Sequence, residues 1–274
     1  MAKAFAPGNL SCIFRICHSS TPAKMHSLGV GLTTNKGVIV ETKRNNKTVI
    51  FFNGKKINFP TVLTAINMLT KEQFIVDIIS ELPLGCGFGL SGACTLASVY
   101  SINALLILNK QEYELAMISH IAEVKNSTGL GDIAGQFNGG FLMKTMSGEP
   151  LEVERLNIKD KYIYYKVFGE LYTKDILKNK SLTDKINHAG DIALNKIRLL
   201  INPNLIDIIK ISKEFAEKSG LLKSPEVINE IKKIESLGGY ASMIMLGNAV
   251  YSNIEFPDCE RAEISNKRAC LLNN

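Results

Sequence analysis

The sequence has no tryptophan, no Cys-x-x-Cys pair and no apolar run long enough to cross a bilayer. Its N-terminus also lacks the charged and apolar regions of a signal peptide. A net charge of only +6, carried by scattered basic residues, provides no basic surface interleaved with aromatics of the kind that binds nucleic acids. We therefore expect a cytoplasmic protein with no nucleic-acid partner and no membrane partner.

The six cysteines indicate neither disulfides nor a metal site. A chain of 274 residues can bury a large core without disulfides, so we expect free thiols. A zinc site built from Cys12, Cys17, His18 and His26 is disfavoured because these spacings match no common ligand pattern. With 46% hydrophobic and 21% charged residues the composition is that of a globular protein, and the length favours two domains.

The most informative stretch is Glu81–Ala93, which is rich in glycine. A β-branched apolar run over residues 74–79 precedes it, and an apolar stretch over 94–108 follows, which predicts a strand, a loop and a buried helix. Glycines allow backbone N–H groups to converge on a polyanion, and the N-terminus of the next helix adds partial positive charge. This order predicts a phosphate-binding loop.

Two familiar nucleotide motifs do not account for this loop. The segment 87–92 satisfies G-x-G-x-x-G, but Pro83 forces a wide loop, and the acidic candidates Glu112 and Glu114 fall in a predicted helix. A P-loop is excluded because Ala93-Cys94 stands where lysine and serine or threonine are required. A glycine-rich turn that only packs against a helix stays open as the alternative.

A second predicted helix, Tyr113–Lys125, places His120 and Glu123 on one face. Residues 127–136 then form a second predicted glycine loop, which fixes Asp132. Phosphoryl transfer uses two carboxylates, one that binds Mg²⁺ and one that faces the acceptor hydroxyl, and this arrangement of Glu123 and Asp132 matches both. The alternatives are a solvated helix face and an Asp132 that only forms a turn.

The remaining pattern predicts an α+β protein. The opening strand, Lys3–Ala6, should stop at the turn signal Pro7-Gly8-Asn9, and Asn53-Gly54 predicts a hairpin. Further strands are predicted over 37–42, 48–52, 56–59 and 162–168, helices over 61–71, 185–200, 203–218 and 224–236, and a hairpin over 241–252.

Residues 83–93 resemble the central phosphate-binding motif of the galactose, homoserine, mevalonate and phosphomevalonate (GHMP) kinase superfamily, and Ala6-Pro7-Gly8 resembles its N-terminal motif. Together with residues 120–123, 128–132 and 241–248, they are similar to the motifs of archaeal-type pantoate kinases. The resemblance runs nearly end to end. It implies a two-domain fold, with a ribosomal S5 domain 2-like N-terminal domain over 1–153 and a smaller ferredoxin-like α/β domain over 154–274 that completes the substrate cleft.

The resemblance implies ATP-dependent phosphorylation of the terminal hydroxyl of pantoate, giving 4-phosphopantoate in coenzyme A biosynthesis, by a homodimer. It implies that Ser91 and Glu123 hold Mg²⁺ and that Asp132 orients or deprotonates the hydroxyl. Pantoate would be bound by Ser27, His120 and Lys144. The residues implied to bind the ATP phosphates are Pro83, Gly85, Cys86, Gly87, Phe88, Gly89, Leu90, Ser91, Gly92 and Ala93.

Two positions depart from the family pattern. Lys144 stands where an arginine would grip a carboxylate with two parallel hydrogen bonds, and it offers a point charge instead. Asn9 replaces the usual lysine or histidine and has no assigned role. Two other functions stay open: a kinase of the same fold for another acceptor, such as homoserine, mevalonate or shikimate, or a nucleotide-binding regulator or RNA-binding module without turnover.

Overall fold

The computed structural model describes residues 1–170 and 180–272, and in those ranges it contains two β-sheets and seven helices. The strands are β1 (Ala2–Cys17), β2 (His26–Asn45), β3 (Val49–Phe52), β4 (Lys55–Ile57), β5 (Gln73–Ser80), β6 (Phe141–Lys144), β7 (Glu154–Arg155), β8 (Tyr162–Gly169), β9 (Ala241–Met243), β10 (Asn248–Ser252), β11 (Glu260–Glu263) and β12 (Cys270–Leu272). The helices are α1 (Pro60–Leu69), α2 (Leu90–Leu106), α3 (Glu112–Asn126), α4 (Asp132–Asn138), α5 (Lys180–Arg198), α6 (Leu205–Ser219) and α7 (Pro225–Ser236). The predicted α+β class is confirmed.

The first sheet has the strand order β12-β1-β2-β5-β3-β4, with β6 paired to β2 and β7 paired to β6. Its pairings are antiparallel except for the parallel pair β3–β5. The second sheet, β11-β8-β10-β9, is antiparallel. Strand β12 pairs with β1, so a segment near the end of the chain completes the first sheet. The division into domains at residues 153 and 154 stays a prediction.

The prediction that the first strand ends at Pro7-Gly8-Asn9 is wrong, because β1 continues to Cys17. The register between β1 and β2 shifts between Pro7 and Asn9, and this irregularity accommodates the proline and glycine within a strand. The N–H of Asn9 donates to the carbonyl oxygen of Phe88 at 2.9 Å. Strand β1 therefore crosses directly beneath the glycine loop.

The predicted helices are confirmed, with ends that differ from the prediction by up to five residues, the largest difference being at the start of α5. Helix α1 has Pro60 in its first turn, and α7 begins with Ser224 as N-cap, whose Oγ accepts the N–H of Val227 at 3.5 Å. Most of α2 is buried, as its uniformly apolar sequence predicts, because it packs against β1 and β2 and is covered by α1 and α3. No helix in the described ranges is long and apolar enough to cross a membrane.

The second glycine loop is shorter than the sequence predicts. Residues 127–136 were expected to form a loop, whereas helix α4 already begins at Asp132. Its residues Ile133, Ala134 and Gln136 are buried, so tertiary packing stabilises this short helix despite its two flanking glycines. As a result, Asp132 is held at a helix N-terminus rather than in an irregular turn.

Candidate active site

The glycine loop connects β5 to α2 and needs glycine at several positions. Gly85, Gly87 and Gly89 have φ values of +77°, +90° and +60°, a region that other residues rarely adopt. A Cβ added to Gly87 would lie 2.7 Å from Ile244 Cγ2 and 3.0 Å from the Cα of Gly247. The turn between β9 and β10 therefore packs against the loop backbone, and glycine is required there by both conformation and space.

A cavity of about 390 Å³, which we call the nucleotide cavity, opens at this loop and at the N-terminus of α2. Free N–H groups and partial positive charge at a helix N-terminus suit a polyanion. Its lining residues are Ser11, Asn58, Phe59, Leu84, Gly85, Gly87, Phe88, Gly89, Leu90, Ser91, Ser127, Thr128, Asp132, Met245 and Leu246. Four residues predicted to bind phosphate do not line it, namely Pro83, Cys86, Gly92 and Ala93.

Glu123 and Asp132 converge beside this cavity. Ser91 Oγ and Thr128 Oγ1 donate to Glu123 Oε1 at 2.6 and 2.8 Å, whereas Glu123 Oε2 is buried without a partner. A Cβ on Gly129 would lie 2.5 Å from Glu123 Oε2 and 2.9 Å from Asp132 Oδ2. Both carboxylates thus face the same small space, which only a glycine leaves open.

The electrostatics of this pair fit a bound cation. The pKa of Glu123 is raised to about 7, mainly by burial. Hydrogen bonds from Ser91 and Thr128 lower this pKa, whereas the negative charge of Asp132 raises it. Burial likewise raises the pKa of Asp132 to about 6. The unpartnered Oε2 and an all-oxygen donor set match the ligands that Mg²⁺ prefers. Residues 1–170 and 180–272 contain no group of three or more His, Cys, Asp or Glu able to hold a metal, so a bound cation would need further oxygens from phosphate or water.

Asn9 belongs to the site, although the sequence assigned it no role. Its Nδ2 donates to Asp132 Oδ1 at 2.8 Å, and its side chain is buried. Gln136 Nε2 similarly donates to the carbonyl oxygen of Gly89 at 2.8 Å, which joins α4 to the glycine loop. These bonds connect residues far apart in the chain, so no local pattern could have revealed them.

A second cavity of about 60 Å³, which we call the small cavity, lies next to β1. Ser11 lines both cavities, so they meet at this strand. The small cavity is lined by Asn9, Ser11, Ile13, Phe14, Ser27, Gly29, Val30, Gly31, Gly131, Ala134, Gly135, Leu142, Met143, Lys144 and Val153. Polar side chains from β1, β2 and β6 therefore surround a space next to Asp132.

Of the three residues predicted to bind the acceptor, Ser27 and Lys144 line the small cavity and His120 does not. Lys144 is buried and its Nζ donates to the carbonyl oxygen of Glu149, and burial lowers the pKa of its ammonium group. The pKa of His120 is lowered to about 4, mainly by burial. A hydrogen bond to the Met25 backbone acts in the opposite direction, and the nearby charges of His26 and Lys144 lower the pKa further.

His26 is a second residue that sequence reasoning missed, because it was considered only as a zinc ligand. Its Nδ1 lies 2.8 Å from the Lys24 carbonyl oxygen, and its Nε2 is buried without a partner, as is Nε2 of His120. Its position next to Ser27 was the available signal. Two unpartnered imidazole nitrogens, of His26 and His120, thus lie near Lys144 in the wall of the small cavity.

Residues 60–140 match the family described as GHMP kinases N terminal domain. Pantoate kinase from Methanocaldococcus jannaschii is 37% identical over 252 residues, covering 90% of this chain and 90% of the relative. Pantoate kinase from Methanospirillum hungatei is 30% identical over 257 residues, covering 91% of this chain and 86% of the relative. A solved structure titled phosphotransferase related to CoA biosynthesis pathway has a TM-score of 0.84 at 23% identity, covering 98% of this chain and 97% of that one.

These matches define the class of protein. This chain belongs to the GHMP kinase family and is a kinase. Within that family its relatives at 30% identity or more are named pantoate kinase, in agreement with the resemblance of its motifs.

Proposed function

We propose that this protein transfers the γ-phosphoryl group of ATP to the terminal hydroxyl of pantoate, giving 4-phosphopantoate for coenzyme A biosynthesis. Kinase relatives imply ATP as the donor. The observation that carries the proposal is the convergence of Glu123 and Asp132 on Gly129, beside the nucleotide cavity, which meets the small cavity at Ser11. Full-length similarity to pantoate kinases supports pantoate as the acceptor.

The nucleotide would bind with its phosphates against the glycine loop and the N-terminus of α2. Ser91 and Glu123 would hold Mg²⁺, because the hydroxyl and carboxylate are already 2.6 Å apart and Glu123 Oε2 lacks a partner. A bound Mg²⁺ would neutralise developing charge on the phosphoryl oxygens. Without it, burial raises the pKa of both carboxyl groups, and the charge of Asp132 raises that of Glu123 further, since like charges in a low-dielectric site repel.

Asp132 would receive or orient the acceptor proton. The hydroxyl oxygen attacks the γ-phosphorus, the bond to the β,γ-bridging oxygen breaks, and the hydroxyl proton passes to the Asp132 carboxylate. A pKa near 6 keeps Asp132 largely ionised at neutral pH and still basic enough to accept a proton. This step needs no covalent enzyme intermediate.

The pantoate carboxylate would be recognised on the side of Ser27 and Lys144, with His120 behind them. Lys144 supplies a point charge and Ser27 a hydroxyl donor. His120 does not line the small cavity. We therefore assign it a supporting role next to Lys144. A homodimeric state and a cytoplasmic location stay predictions, and light scattering of the purified protein tests the first.

The function is tested by ADP release with Mg-ATP against pantoate, pantothenate, homoserine, mevalonate and shikimate. We expect turnover on pantoate, abolished in Asp132→Ala. Asp77→Ala is the matched control, because Asp77 is an exposed aspartate on β5 away from both cavities, and it should keep full activity. Preference for another acceptor would contradict the assignment of pantoate as the substrate, but it would not contradict the assignment of the kinase site.

The Mg²⁺ assignment has its own test. Glu123→Gln keeps the shape of the side chain and removes the carboxylate, so it should raise the Mg²⁺ concentration needed for half-maximal rate. Wild-type Mg²⁺ dependence in this variant would contradict a metal-binding role for Glu123.

A further inference from the structure

Strand β1 places Asn9 at the boundary between the two cavities. Asn9 lines the small cavity, whereas its hydrogen-bond partner Asp132 lines the nucleotide cavity. Ser11, two residues further along the strand, lines both. An acceptor hydroxyl in the small cavity would therefore meet a phosphoryl group of the nucleotide close to the Asn9–Asp132 pair.

The backbone of Asn9 is tied to the glycine loop. Its N–H donates to the Phe88 carbonyl oxygen at 2.9 Å, at the place where the β1–β2 register shifts. A buried backbone group paired in this way restrains its residue. The side chain of Asn9 is thus positioned relative to the loop that would carry the phosphates.

The amide of Asn9 is confined on both sides. Its Nδ2 donates to Asp132 Oδ1 at 2.8 Å, and its Oδ1 faces Gly135, where an added Cβ would lie only 2.1 Å away. Asn9 is 4% exposed, so the amide has little room to withdraw. Glycine at position 135 therefore provides the space that the amide occupies.

We propose that Asn9 is a positioning residue for phosphoryl transfer, whose amide holds the Asp132 carboxylate towards the acceptor hydroxyl, and that Gly135 is required to accommodate this amide. The proposal rests on the proposed function for the reaction itself. A neutral amide fixes the orientation of a carboxylate without placing a cation beside it. Misplacement of a reacting group by about 1 Å can lower a rate by about 100-fold.

The first test is Asn9→Ala. We expect kcat to fall about 10- to 100-fold, the range for losing one hydrogen bond to a charged group. Tm should fall by a few degrees, because a buried hydrogen bond is lost, whereas the ATP dissociation constant, measured by calorimetry, should stay near the wild-type value. A merely structural role would instead weaken ATP binding together with kcat, and an unchanged kcat would overturn the proposal.

The matched control is Asn45→Ala. Asn45 Nδ2 donates to the Lys47 carbonyl oxygen at 2.7 Å in an exposed turn, so this variant also removes one asparagine hydrogen bond. Its kinetics should equal those of the wild type. If both variants lose kcat equally, the effect of Asn9→Ala does not come from Asp132, and the proposal is overturned.

Gly135→Ala tests the second half of the proposal, since its Cβ should displace the amide without changing Asn9. We expect a lower kcat, and in the double variant with Asn9→Ala a further loss smaller than Gly135→Ala causes alone. Coupling of this kind is typical of residues in contact. Fully additive losses would show that Gly135 does not act through Asn9.

A crystal structure of Asn9→Ala gives a readout that needs no turnover. We expect the Asp132 carboxylate to leave its wild-type rotamer or to occupy several. If wild-type protein phosphorylates a different acceptor or none, and Asp132 still moves in the variant, the proposed function fails and the positioning contact stands. An Asp132 that keeps its position would overturn the proposal whatever the acceptor is.

Discussion

The nucleotide cavity and the small cavity are built in different ways. Seven residues of one stretch of sequence, 84–91, three of them glycines, form much of the first wall. Side chains from separate strands, among them Ser11, Ser27 and Lys144, form the second. If the proposed function is correct, phosphate binding would be encoded locally by glycine, whereas acceptor recognition would depend on residues that only the fold brings together. Substitutions should affect the two substrates separately, except at Asp132, which lines the nucleotide cavity and is hydrogen-bonded to Asn9 in the wall of the small cavity.

The largest expected effect is that of Asp132→Asn, which keeps the shape of the side chain and removes the proton acceptor. We expect kcat to fall about 10²- to 10⁴-fold, the usual contribution of a general base. The ATP dissociation constant should change little, because the proposed phosphate site is formed by the glycine loop and not by this side chain. Retention of more than a tenth of wild-type kcat would indicate that Asp132 does not accept the proton.

The buried imidazole of His120 should be detectable in the pH dependence of stability. The pKa of His120 is lowered from 6.5 to about 4 on folding. Below pH 6.5 the unfolded state therefore binds a proton that the folded state does not, so the stability present above pH 6.5 decreases as the pH falls to 4. Compared with His120→Gln, wild-type protein should lose about 3 kcal/mol more unfolding free energy over that range, by denaturant titration. His18→Gln, which changes an exposed histidine, is the control, and equal slopes for wild type and His120→Gln would contradict burial of a neutral imidazole.

Gly87→Ala should impair the nucleotide side selectively. Its positive φ and the close approach of Ile244 and Gly247 leave no room for a methyl group, so we expect ATP affinity to fall about 10- to 100-fold. Gly54→Ala is the matched control, because Gly54 also has positive φ but an added Cβ would contact nothing within 4 Å. A loss confined to acceptor affinity would contradict the assignment of the loop to the nucleotide.

Lys144→Met should give the smallest effect, on the acceptor alone. Removing one point charge while keeping an unbranched side chain should raise the KM for pantoate about tenfold and leave the KM for ATP unchanged. Lys47→Met, at an exposed position, should change neither. An equal rise in both KM values would show that Lys144 supports the site as a whole.

The sequence predicted the parts of the site that depend on neighbouring residues. The strand, glycine loop and helix over β5 and α2, and the position of His120 and Glu123 on α3, follow from periodicity and glycine content. Asn53-Gly54 likewise predicted the β3–β4 hairpin.

The parts it did not predict depend on distant contacts. Pro7-Gly8 reads as a turn, yet pairing with β2 carries β1 through it, and Lys3 pairs with Leu272 at the other end of the chain. Helix α4 forms because its buried face packs under β1 and α2. The same packing brings Asn9 to Asp132 across 123 residues, which no window of sequence contains.

The position of the transferred phosphate is the measurement that tests the proposed reaction most directly. Pantoate, Mg-ATP and wild-type protein would be followed by proton-coupled ³¹P NMR. Transfer to the terminal hydroxyl predicts a new phosphate ester resonance split into a triplet by the two protons of the terminal carbon. A doublet from the secondary hydroxyl, or inorganic phosphate alone, would contradict phosphorylation of the terminal hydroxyl of pantoate at this site.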